Sequence, residues 1–517
     1  MNLLDVVIAI PLVGFLIAML LPKGNAQLIR VFALGASLVA FVASLGLIGP
    51  FWYGNPGKFV FETDKLWISS PSIHYHVAID GISLWLVILS TLLTPICVLI
   101  SWRSIEKRAK EFFAFLLLLE FGLVGVFCAL DFFLFYVFWE VALVPMYFLI
   151  GVWGHDRRIY AALKFFVYTM AGSVLMLGGI IYLYSRAGNT FDYPTILAGL
   201  QSGRIPLSSA EQLYLFLAFF VAFAIKVPLF PLHTWLPDAH VEAPTAGSVM
   251  LASVMLKMGT YGLLRFCVPL FPTAARECAA WIVALAIIGI VYGALVAMVQ
   301  PNMKKLVAYS SVSHLGFVVL GIFSFTQQGF DGAVYQMLNH GVSTGALFIL
   351  VGYLYERRHS LEIASYGGVA NPAPKLAIVF AVTMLASIGL PTLNNFIGEF
   401  LVLQGATLVR FEWTVFASIG VILSACYMLW LYQRVFLGKA SDDITHHMFE
   451  LRPREMAAIV PLLVLMVWMG SFTQSFLPSI SSSTARILGP IESVQVRNAA
   501  PPRNTLLASL KELLHAR

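Results

Sequence analysis

Residues 213–240 read LYLFLAFFVAFAIKVPLFPLHTWLPDAH, and this stretch places one lysine inside a long apolar run. An ammonium group at the centre of a bilayer costs about 2.5–3.5 kcal/mol on insertion scales, so such a residue is rarely kept without a role. Pro228 follows Lys226 by two positions, removes a backbone donor and disfavours helical geometry at residue 227. The stretch therefore predicts a broken membrane helix that carries a buried cation, which is typical of an ion pathway.

The rest of the composition is that of a polytopic membrane protein. Of the 517 residues, 59% are hydrophobic and 11% are charged, whereas soluble proteins carry about 25% charged residues. Division of the chain at its polar breaks predicts an all-α fold of about fourteen transmembrane helices, each near the ~20 residues that a bilayer requires. The first of these, within residues 1–22, has Asp5 where a signal peptide has basic residues, which favours a retained span over a cleaved leader.

The net charge of +6 is explained by membrane topology rather than by binding to nucleic acid. Loops after odd-numbered spans hold 18 basic residues, and loops after even-numbered spans hold 7. Because positive loops face the cytoplasm, both termini are predicted on the outer, periplasmic face of a bacterial inner membrane. The sequence ends in TLLASLKELLHAR (505–517), which is typical of a short amphipathic surface helix.

Two proline-interrupted segments indicate an internal repeat. AIKVPLFP (224–231) in the seventh span and SIGLPTLN (387–394) in the twelfth each place a proline in an apolar run, five spans apart. Helices 7 and 12 are therefore predicted to be broken, at Pro228 and Pro391. Because five is an odd number, spans 4–8 and 9–13 would form two inverted five-helix repeats, a common transporter design with ion sites near the midplane.

The repeat divides the chain into four predicted regions. Residues 1–110 hold three spans and an outer loop, and residues 111–270 hold the first five-helix repeat. Residues 271–440 hold the second, inverted repeat, and residues 441–517 hold the last span and a short polar tail. Long apolar runs cover nearly the whole length, which leaves no room for a folded soluble domain.

Two polar segments contain residues that can bind metal ions, and in both the sequence favours another interpretation. In the outer loop, FVFETDKLWI (59–68) alternates as a hairpin strand does. His74 and His76 follow it without another ligand at fitting spacing. The segment HTWLPDAHVEAPT (233–245) has two histidines and two carboxylates whose spacing suits no single helix face. We interpret it as a polar cytoplasmic loop that feeds protons inward and caps a helix beginning near Thr245.

The cysteines give no sign of a metal or redox centre. There are five of them, scattered without paired spacing: Cys97, Cys128, Cys267, Cys278 and Cys426. The sequence therefore predicts no disulfide, iron–sulfur cluster or zinc site on this chain.

Six ionisable residues lie well inside the predicted spans: Glu140, Lys226, Lys257, His314, His340 and Glu399. A single buried histidine is commonly a hydrogen-bonded packing residue. Two lysines and two glutamates at mid-span depth are too costly for packing alone, so the row indicates a pathway. Burial raises the pKa of carboxyl groups and lowers that of lysines, and histidine titrates near neutral pH. Such a row can load and release protons, whereas selective Na⁺ binding needs clustered oxygen ligands.

Longer motifs resemble those of a known family. IKVPLFPLHTWLPDAHVEAPTAGSVMLASVMLKMGTYGLLRF (225–266) and NMKKLVAYSSVSHLGFV (302–318) are similar to the antiporter-like membrane subunits of respiratory complex I. WEVALVPMYFLIGVWG (139–154) closely resembles the chain M family of proton-translocating NADH-quinone oxidoreductases. The resemblance covers about residues 75–440. The wider superfamily also includes chains L and N and the large subunits of Mrp-type Na⁺/H⁺ antiporters.

Glu399, in the motif FIGEF (396–400), separates the members of this superfamily. The comparable position of helix 12 is typically lysine in chains L and N and in the Mrp relatives, and glutamate in chain M. The pair Asn394-Asn395 departs from the family pattern, in which small or hydroxyl residues are more frequent. This departure bears on how the helix break is hydrated and does not change the resemblance to the family.

The resemblance also implies a role for each buried residue. Glu140 would pair with Lys226 and tune its proton affinity, so Glu140→Gln is expected to impair proton pumping together with quinone reduction. Lys257 would bridge two half-channels, with His314 and His340 along the central axis.

The two ends of the implied pathway are His233 and Glu399. His233 would lie nearer the cytoplasmic input, and Glu399 would be the terminal group toward the periplasmic exit or the next subunit. The implied partners are other membrane and peripheral subunits of complex I, especially neighbouring antiporter-like subunits. NADH, FMN, iron–sulfur clusters and quinone would be bound by those subunits rather than by this chain.

Two other functions stay open at this point. The chain could be a subunit of an Mrp-type Na⁺/H⁺ antiporter, which Glu399 disfavours. It could also be a purely structural membrane scaffold, which would require the charged row to be inert. Proton pumping that persists unchanged in Lys226→Ala would support the scaffold.

Overall fold

The computed structural model describes residues 2–53 and 58–499, most of which lie in long helices. We number the membrane spans in chain order from 1 to 14. They are Leu3–Leu20, Ala26–Leu45, Gly81–Ser104, Ala109–Cys128, Phe132–Trp153, Arg158–Arg186, the pair Ser209–Lys226 and Trp235–Glu242, Thr245–Leu270, Pro272–Met298, Met303–Phe323, Gln327–Arg358, the pair Pro374–Ser387 and Asn394–Thr407, Phe411–Phe436, and Pro453–Ser471.

The prediction of an all-α polytopic fold is confirmed. In the described part of the chain, 13 helices are long and apolar enough to cross a membrane. The remaining predicted span is span 12, whose two halves are individually short. Backbone polar groups cannot bond to water inside a bilayer, so long apolar runs become helices that pair these groups internally. The predicted inverted relation between spans 4–8 and 9–13 stays a prediction, as do the four region boundaries.

Spans 8, 10 and 11 form the interior of the molecule. The most apolar windows of spans 8 and 11 are 100% buried, and that of span 10 is 94% buried. By contrast, the window of span 2 is 28% buried and that of span 13 is 33% buried. Lys257, His314 and His340 belong to the three interior helices, so the packing holds them away from lipid.

Both predicted helix breaks are present. The first half of span 7 ends at Lys226, and the helix resumes at Trp235. The indole Nε1 of Trp235 donates to the carbonyl of Ile225 at 3.0 Å, which satisfies one of the acceptors that the break leaves unpaired. In span 12 the break contains Gly389, whose φ of +77° favours glycine. The side chain of Asn395 bridges this break by donating to the carbonyl of Ser387 at 3.2 Å.

The predicted outer hairpin is also present. Strands β1 (Val60–Ile68) and β2 (Ile73–Ile79) pair antiparallel, with Asp64 opposite His76 and Leu66 opposite His74. Short helices Gly49–Tyr53, Tyr193–Gln201 and Asp442–His447, together with 3₁₀ turns Gly46–Ile48, Ile363–Ser365 and Thr473–Ser475, connect the spans.

A long C-terminal helix, Leu477–Ala499, covers the end of the bundle that the topology places outside. The Trp85 indole donates to Ser479 Oγ at 2.8 Å, and the backbone N–H of Gly81 donates to Ser483 Oγ at 2.9 Å. These contacts fix the helix to the start of span 3. The predicted surface helix over residues 505–517 lies outside the described residues.

Candidate functional site

Lys257 lies at the centre of the molecule, where span 8 departs from regular α-helical geometry. The turns Leu251–Met255 and Leu263–Cys267, on either side of the α-helical segment Leu256–Gly262, are π-helical. The N–H of Leu256 donates to Leu251 O, so the carbonyl of Ala252 is free to accept from the Lys257 ammonium at 2.6 Å. The π turn thus supplies a polar partner to a side chain with no exposed surface. Single π turns inside α-helices are frequent at functional sites.

Lys257 also contacts His340 of span 11. Its Nζ lies 2.6 Å from His340 Nδ1, and both side chains are fully buried. When Lys257 is an ammonium it can only donate, so in that state Nδ1 accepts and the histidine proton resides on Nε2. Within the described chain, Nε2 has no hydrogen-bond partner. This nitrogen is therefore available to pass a proton onward.

His314 and Glu399 continue the row. The rings of His340 and His314 lie 5.9 Å apart between centroids, and His314 Nε2 likewise lacks a partner among the described residues. On its other side, His314 Nδ1 lies 2.8 Å from Glu399 Oε1. Gln336 Nε2 donates to the same oxygen at 3.0 Å. Glu399 is only 4% exposed, so its carboxyl is held by side chains rather than by bulk water.

The pair Asn394-Asn395 connects the break in span 12 to span 11. The Asn394 amide donates to the carbonyl of Asn339 at 3.1 Å, and Asn339 donates back to Asn394 O at 2.8 Å. The Asn395 amide donates to Ser343 Oγ at 3.1 Å. The two asparagines thus hold the helix that carries Glu399 against the helix that carries His340.

Lys226 lies apart from this hydrogen-bonded row. Its side chain is 1% exposed, and its Nζ has no hydrogen-bond partner in the described chain. The ammonium lies over the rings of Trp139 and Phe165, 5.3 and 5.5 Å from their centroids. Such cation–π contacts stabilise a desolvated cation.

Glu140 lies on the helix that also carries Trp139, and its side chain is only partly buried. No ion pair within 4.0 Å joins Glu140 to Lys226 in the parts of the chain that the structure describes. Glu140 Oε1 has no hydrogen-bond partner in those parts, and the Tyr136 hydroxyl one turn earlier lies beside its carboxyl. The described chain therefore shows no direct contact between Glu140 and Lys226.

The break and the second half of span 7 hold further ionisable groups. His233 occupies the break, is 3% exposed, and packs against the rings of Phe230 and Tyr292. Asp238 pairs with Lys164 at 2.6 Å, and His240 stacks on Phe348 with 4.5 Å between ring centroids. Trp235–Glu242 is a helix, so the predicted polar loop is wrong over most of the 233–245 segment. The next helix begins at Thr245 as predicted, but without a side-chain cap.

Several buried charged residues were missed in the sequence, among them Glu120, Lys304 and Arg265. Glu120 of span 4 has no exposed surface, and neither carboxyl oxygen has a hydrogen-bond partner in the described chain. Lys304 is 1% exposed and donates to Ala243 O at 2.8 Å. Arg265 is fully buried beside Asp80. Glu120 interrupts the apolar run FAFLLLLEFGLVGVF (113–127) just as Glu140 interrupts its own, so the same reasoning could have found it. Lys304 and Arg265 lie near span ends, where a sequence predicts that charged side chains reach solvent.

Asp80 and Arg265 form an ion pair on the outer side of the bundle. Arg265 Nη2 lies 2.6 Å from Asp80 Oδ1, and Arg486 of the C-terminal helix lies 2.9 Å from Oδ2. Burial alone would raise the pKa of Asp80, but the two guanidinium groups outweigh it and hold that pKa below its usual value. Asp80 also caps span 3 by accepting from the N–H groups of Ile82 and Ser83. The cluster thus joins spans 3 and 8 to the C-terminal helix.

The two histidines of the hairpin pair with carboxylates. His74 Nδ1 lies 2.6 Å from Asp64. His76 lies between Asp192 at 2.6 Å and Glu62 at 2.9 Å. Burial would lower the pKa of His76, but its hydrogen bonds to the two carboxylates raise it to about 9. In residues 2–53 and 58–499, no group of three or more His, Cys, Asp or Glu side chains is placed to hold a metal ion.

Comparison with known proteins identifies the class to which this arrangement belongs. The family described as NADH:quinone oxidoreductase/Mrp antiporter, TM, matches residues 129–425, which include both broken spans and most of the buried row. Fold and site together define an antiporter-like membrane subunit. NADH-quinone oxidoreductase subunit M from Rhodobacter capsulatus is 44% identical over 499 residues, covering 94% of this chain and 96% of that protein. The chain therefore belongs to the subunit M family of NADH-quinone oxidoreductases, as its motifs predicted.

Solved structures agree with this assignment. A chain of respiratory complex I from Thermus thermophilus with bound NADH superposes with a TM-score of 0.86 and 31% identity, covering 94% of this chain and 99% of that one. A chain of the Mrp complex from Dietzia sp. DQ12-45-1b superposes with a TM-score of 0.84 but is 20% identical, over 96% of this chain and 99% of that one. The Mrp likeness therefore shows a shared fold alone.

Proposed function

We propose that this chain translocates protons as a membrane subunit of NADH-quinone oxidoreductase, complex I. The observation that carries the proposal is the buried row from Lys257 through His340 and His314 to Glu399, two of whose three links are contacts of 2.6 and 2.8 Å. Titratable groups at this depth are costly and mark proton relays in membrane proteins. Membership of the subunit M family supports the same function.

The row suggests how a proton moves. Proton transfer from Lys257 to His340 Nδ1 would be followed by release from Nε2 toward His314. Neither Nε2 atom has a partner in the described chain, and one water molecule or a ring rotation could connect the two rings, whose centroids lie 5.9 Å apart. His314 then passes the proton to Glu399, the terminal group toward the periplasm or the next subunit.

Lys226 controls this row through its charge. When Glu140 holds a negative charge, the protonated form of Lys226 is favoured, and a cation at Lys226 repels one at Lys257. Loss of the Glu140 charge reverses both effects. A change of charge at one end of the chain can therefore drive loading or release in the row, with His233 toward the cytoplasmic input.

The electron-transfer chemistry belongs to partner subunits under this proposal. NADH, FMN, iron–sulfur clusters and quinone would be held by other membrane and peripheral subunits of the complex, in a bacterial inner membrane. Four of the cysteines are buried singly in different helices and one is exposed, a pattern that suits packing residues rather than cluster ligands.

The first experiment is a mild-detergent affinity purification from the native membrane, followed by an NADH:quinone reductase assay. Co-purification of flavin and iron–sulfur subunits with that activity is the expected result. A set of small membrane proteins without redox activity, and with Na⁺-dependent proton exchange, would instead establish the Mrp-type antiporter.

The second experiment replaces Lys257 with alanine in the assembled complex. Inside-out vesicles should lose about tenfold or more of their NADH-driven proton uptake, since a positioned proton-transfer group contributes at least that factor. Lys107→Ala, at an exposed cytoplasmic loop position, is the control and should leave uptake unchanged. Full coupled pumping in Lys257→Ala and Lys226→Ala would establish the inert scaffold instead.

A further inference from the structure

A second site lies on the lateral surface of the bundle, where spans 2 and 14 both pack against span 3 and leave a gap between them. Between them is an apolar groove of about 510 Å³. Its floor is formed by Leu89 and Leu92 of span 3 and by Leu338 and Val342 of span 11, and its walls include Phe41 of span 2 and Val464 of span 14. This volume lies within the roughly 300–1,000 Å³ range of ligand sites in proteins.

The groove is elongated. Along span 14 it extends from Val460 to Met469, or about 14 Å at 1.5 Å per residue. Its lining side chains are almost all apolar, so a hydrocarbon chain can lie along this length.

One end of the groove opens into a polar cup. The cup has a volume of about 260 Å³, includes Gln474 and Ser475, and shares Trp52 and Trp85 with the groove. The topology places it at the outer membrane–water boundary, because it lies at the end of span 14. Trp52 and Trp468, near the mouth, are 56% and 44% exposed, and tryptophan is enriched at that depth of a bilayer. The polar and apolar parts of the site are thus aligned with the membrane normal.

The lining of the cup also indicates the net charge of a lipid headgroup that could bind there. None of the described residues that line the cup is charged. Anionic lipids are recognised by clusters of lysine and arginine. The polar side chains of the cup are the hydroxyls of Ser475 and Ser479 and the amide of Gln474, which is exposed at the rim. Neutral hydrogen-bonding groups of this kind suit a headgroup without net charge.

We propose that the groove and cup form a binding site for one zwitterionic phospholipid, with an acyl chain in the groove and the headgroup in the cup. The site is separate from the proton row, and its occupant would fill a cleft that the protein leaves between spans 2, 3 and 14.

The test uses the purified complex in bilayer nanodiscs that contain phosphatidylethanolamine with a diazirine near the end of one acyl chain. After illumination, mass spectrometry should map adducts to residues 460–469 and 338–342. Val464→Trp should reduce this yield at least fivefold, because the indole fills the groove. Val467→Trp is the matched control, since Val467 is an exposed valine of the same helix (46%, against 54% for Val464) that does not line the groove. Val460→Trp, a second groove variant, should reproduce the effect of Val464→Trp.

Four outcomes would overturn the proposal. Equal labelling of wild type and both groove variants would show that no lipid occupies the groove. Labelling no stronger than at Val174, an exposed residue of span 6, would show ordinary contact with bulk lipid. Cross-links from a photoreactive residue at position 464 to a neighbouring protein chain would show that a protein covers the groove. Equal labelling by a phosphatidylglycerol probe would refute the choice of a zwitterionic headgroup.

Discussion

At the scale of single residues, the buried charged groups are of two kinds: some have direct ionic partners, and others have no hydrogen-bond partner in the described chain. Asp80 and Arg265 are both buried, but each has a direct ionic partner and further hydrogen bonds. Lys226 and Glu120 are buried without hydrogen-bond partners in the described chain. A polar group buried without a partner costs about 1–3 kcal/mol or more, so its retention indicates a functional demand. The same amino-acid types thus serve two purposes that only their surroundings distinguish.

Glu399→Gln tests the terminal group of the row. Glutamine can still accept from Gln336 and His314, so the fold should persist, but it cannot take up a proton. Proton uptake coupled to NADH oxidation is expected to fall by about tenfold or more. Glu412→Gln, at an exposed position in the first turn of span 13, should leave uptake unchanged. Normal proton-to-electron stoichiometry in Glu399→Gln would remove this residue from the pathway.

At the scale of secondary structure, irregular segments place the functional groups. The break in span 7 ends a helix at Lys226, the π turn in span 8 gives Lys257 the carbonyl of Ala252, and the break in span 12 precedes Glu399. Unwound or irregular backbone is tolerated at membrane depth only where protein or water satisfies it. In the two breaks, the side chains of Trp235 and Asn395 satisfy backbone carbonyls by donating hydrogen bonds to them.

The outer hairpin should loosen with rising pH. The pKa of His76 is raised from 6.5 to about 9 in the folded protein, so its protonated form stabilises the docked hairpin. This contribution is complete below about pH 6.5 and is lost as the pH rises through about 9. Hydrogen exchange of the hairpin amides, corrected for intrinsic rates, should therefore accelerate between about pH 7 and about pH 10.

His76→Gln removes the titrating group and should abolish most of this pH dependence. His74→Gln is the control, because His74 pairs with Asp64 within the hairpin and has no contact with Asp192. Its hairpin should retain the acceleration of the wild type. An acceleration of equal size in His76→Gln would assign the effect to another group.

At the scale of the whole molecule, the three most buried spans carry Lys257, His314 and His340, and span 12 adds Glu399. This arrangement keeps lipid away from Lys257 and His340 and lowers the local dielectric constant, which strengthens the interaction between charges. Such an interaction is what a coupled proton relay requires. The basic loops would set the direction of the proposed relay, because they predict which end of each span faces the cytoplasm.

The predicted orientation can be tested with single cysteines in a Cys426→Ser background, since Cys426 is the exposed cysteine of the described chain. Lys65→Cys lies in the hairpin and Lys107→Cys in the loop after span 3, and both positions are exposed. A membrane-impermeant maleimide should label Lys65→Cys in spheroplasts and Lys107→Cys in inside-out vesicles. The opposite pattern would invert the assigned topology.

The sequence alone determined the number of spans, the two breaks and five buried ionisable groups: Lys226, Lys257, His314, His340 and Glu399. These are local properties, because transfer cost and proline geometry belong to each residue wherever its helix packs. The tertiary structure decided which groups touch. Lys257 meets His340 across 83 positions and His314 meets Glu399 across 85. The sequence left open whether Lys226 and Glu140 are in contact, and in the described chain they form no ion pair within 4.0 Å. Only the packing of distant helices brings such groups within hydrogen-bonding distance, and a one-dimensional pattern does not contain that packing.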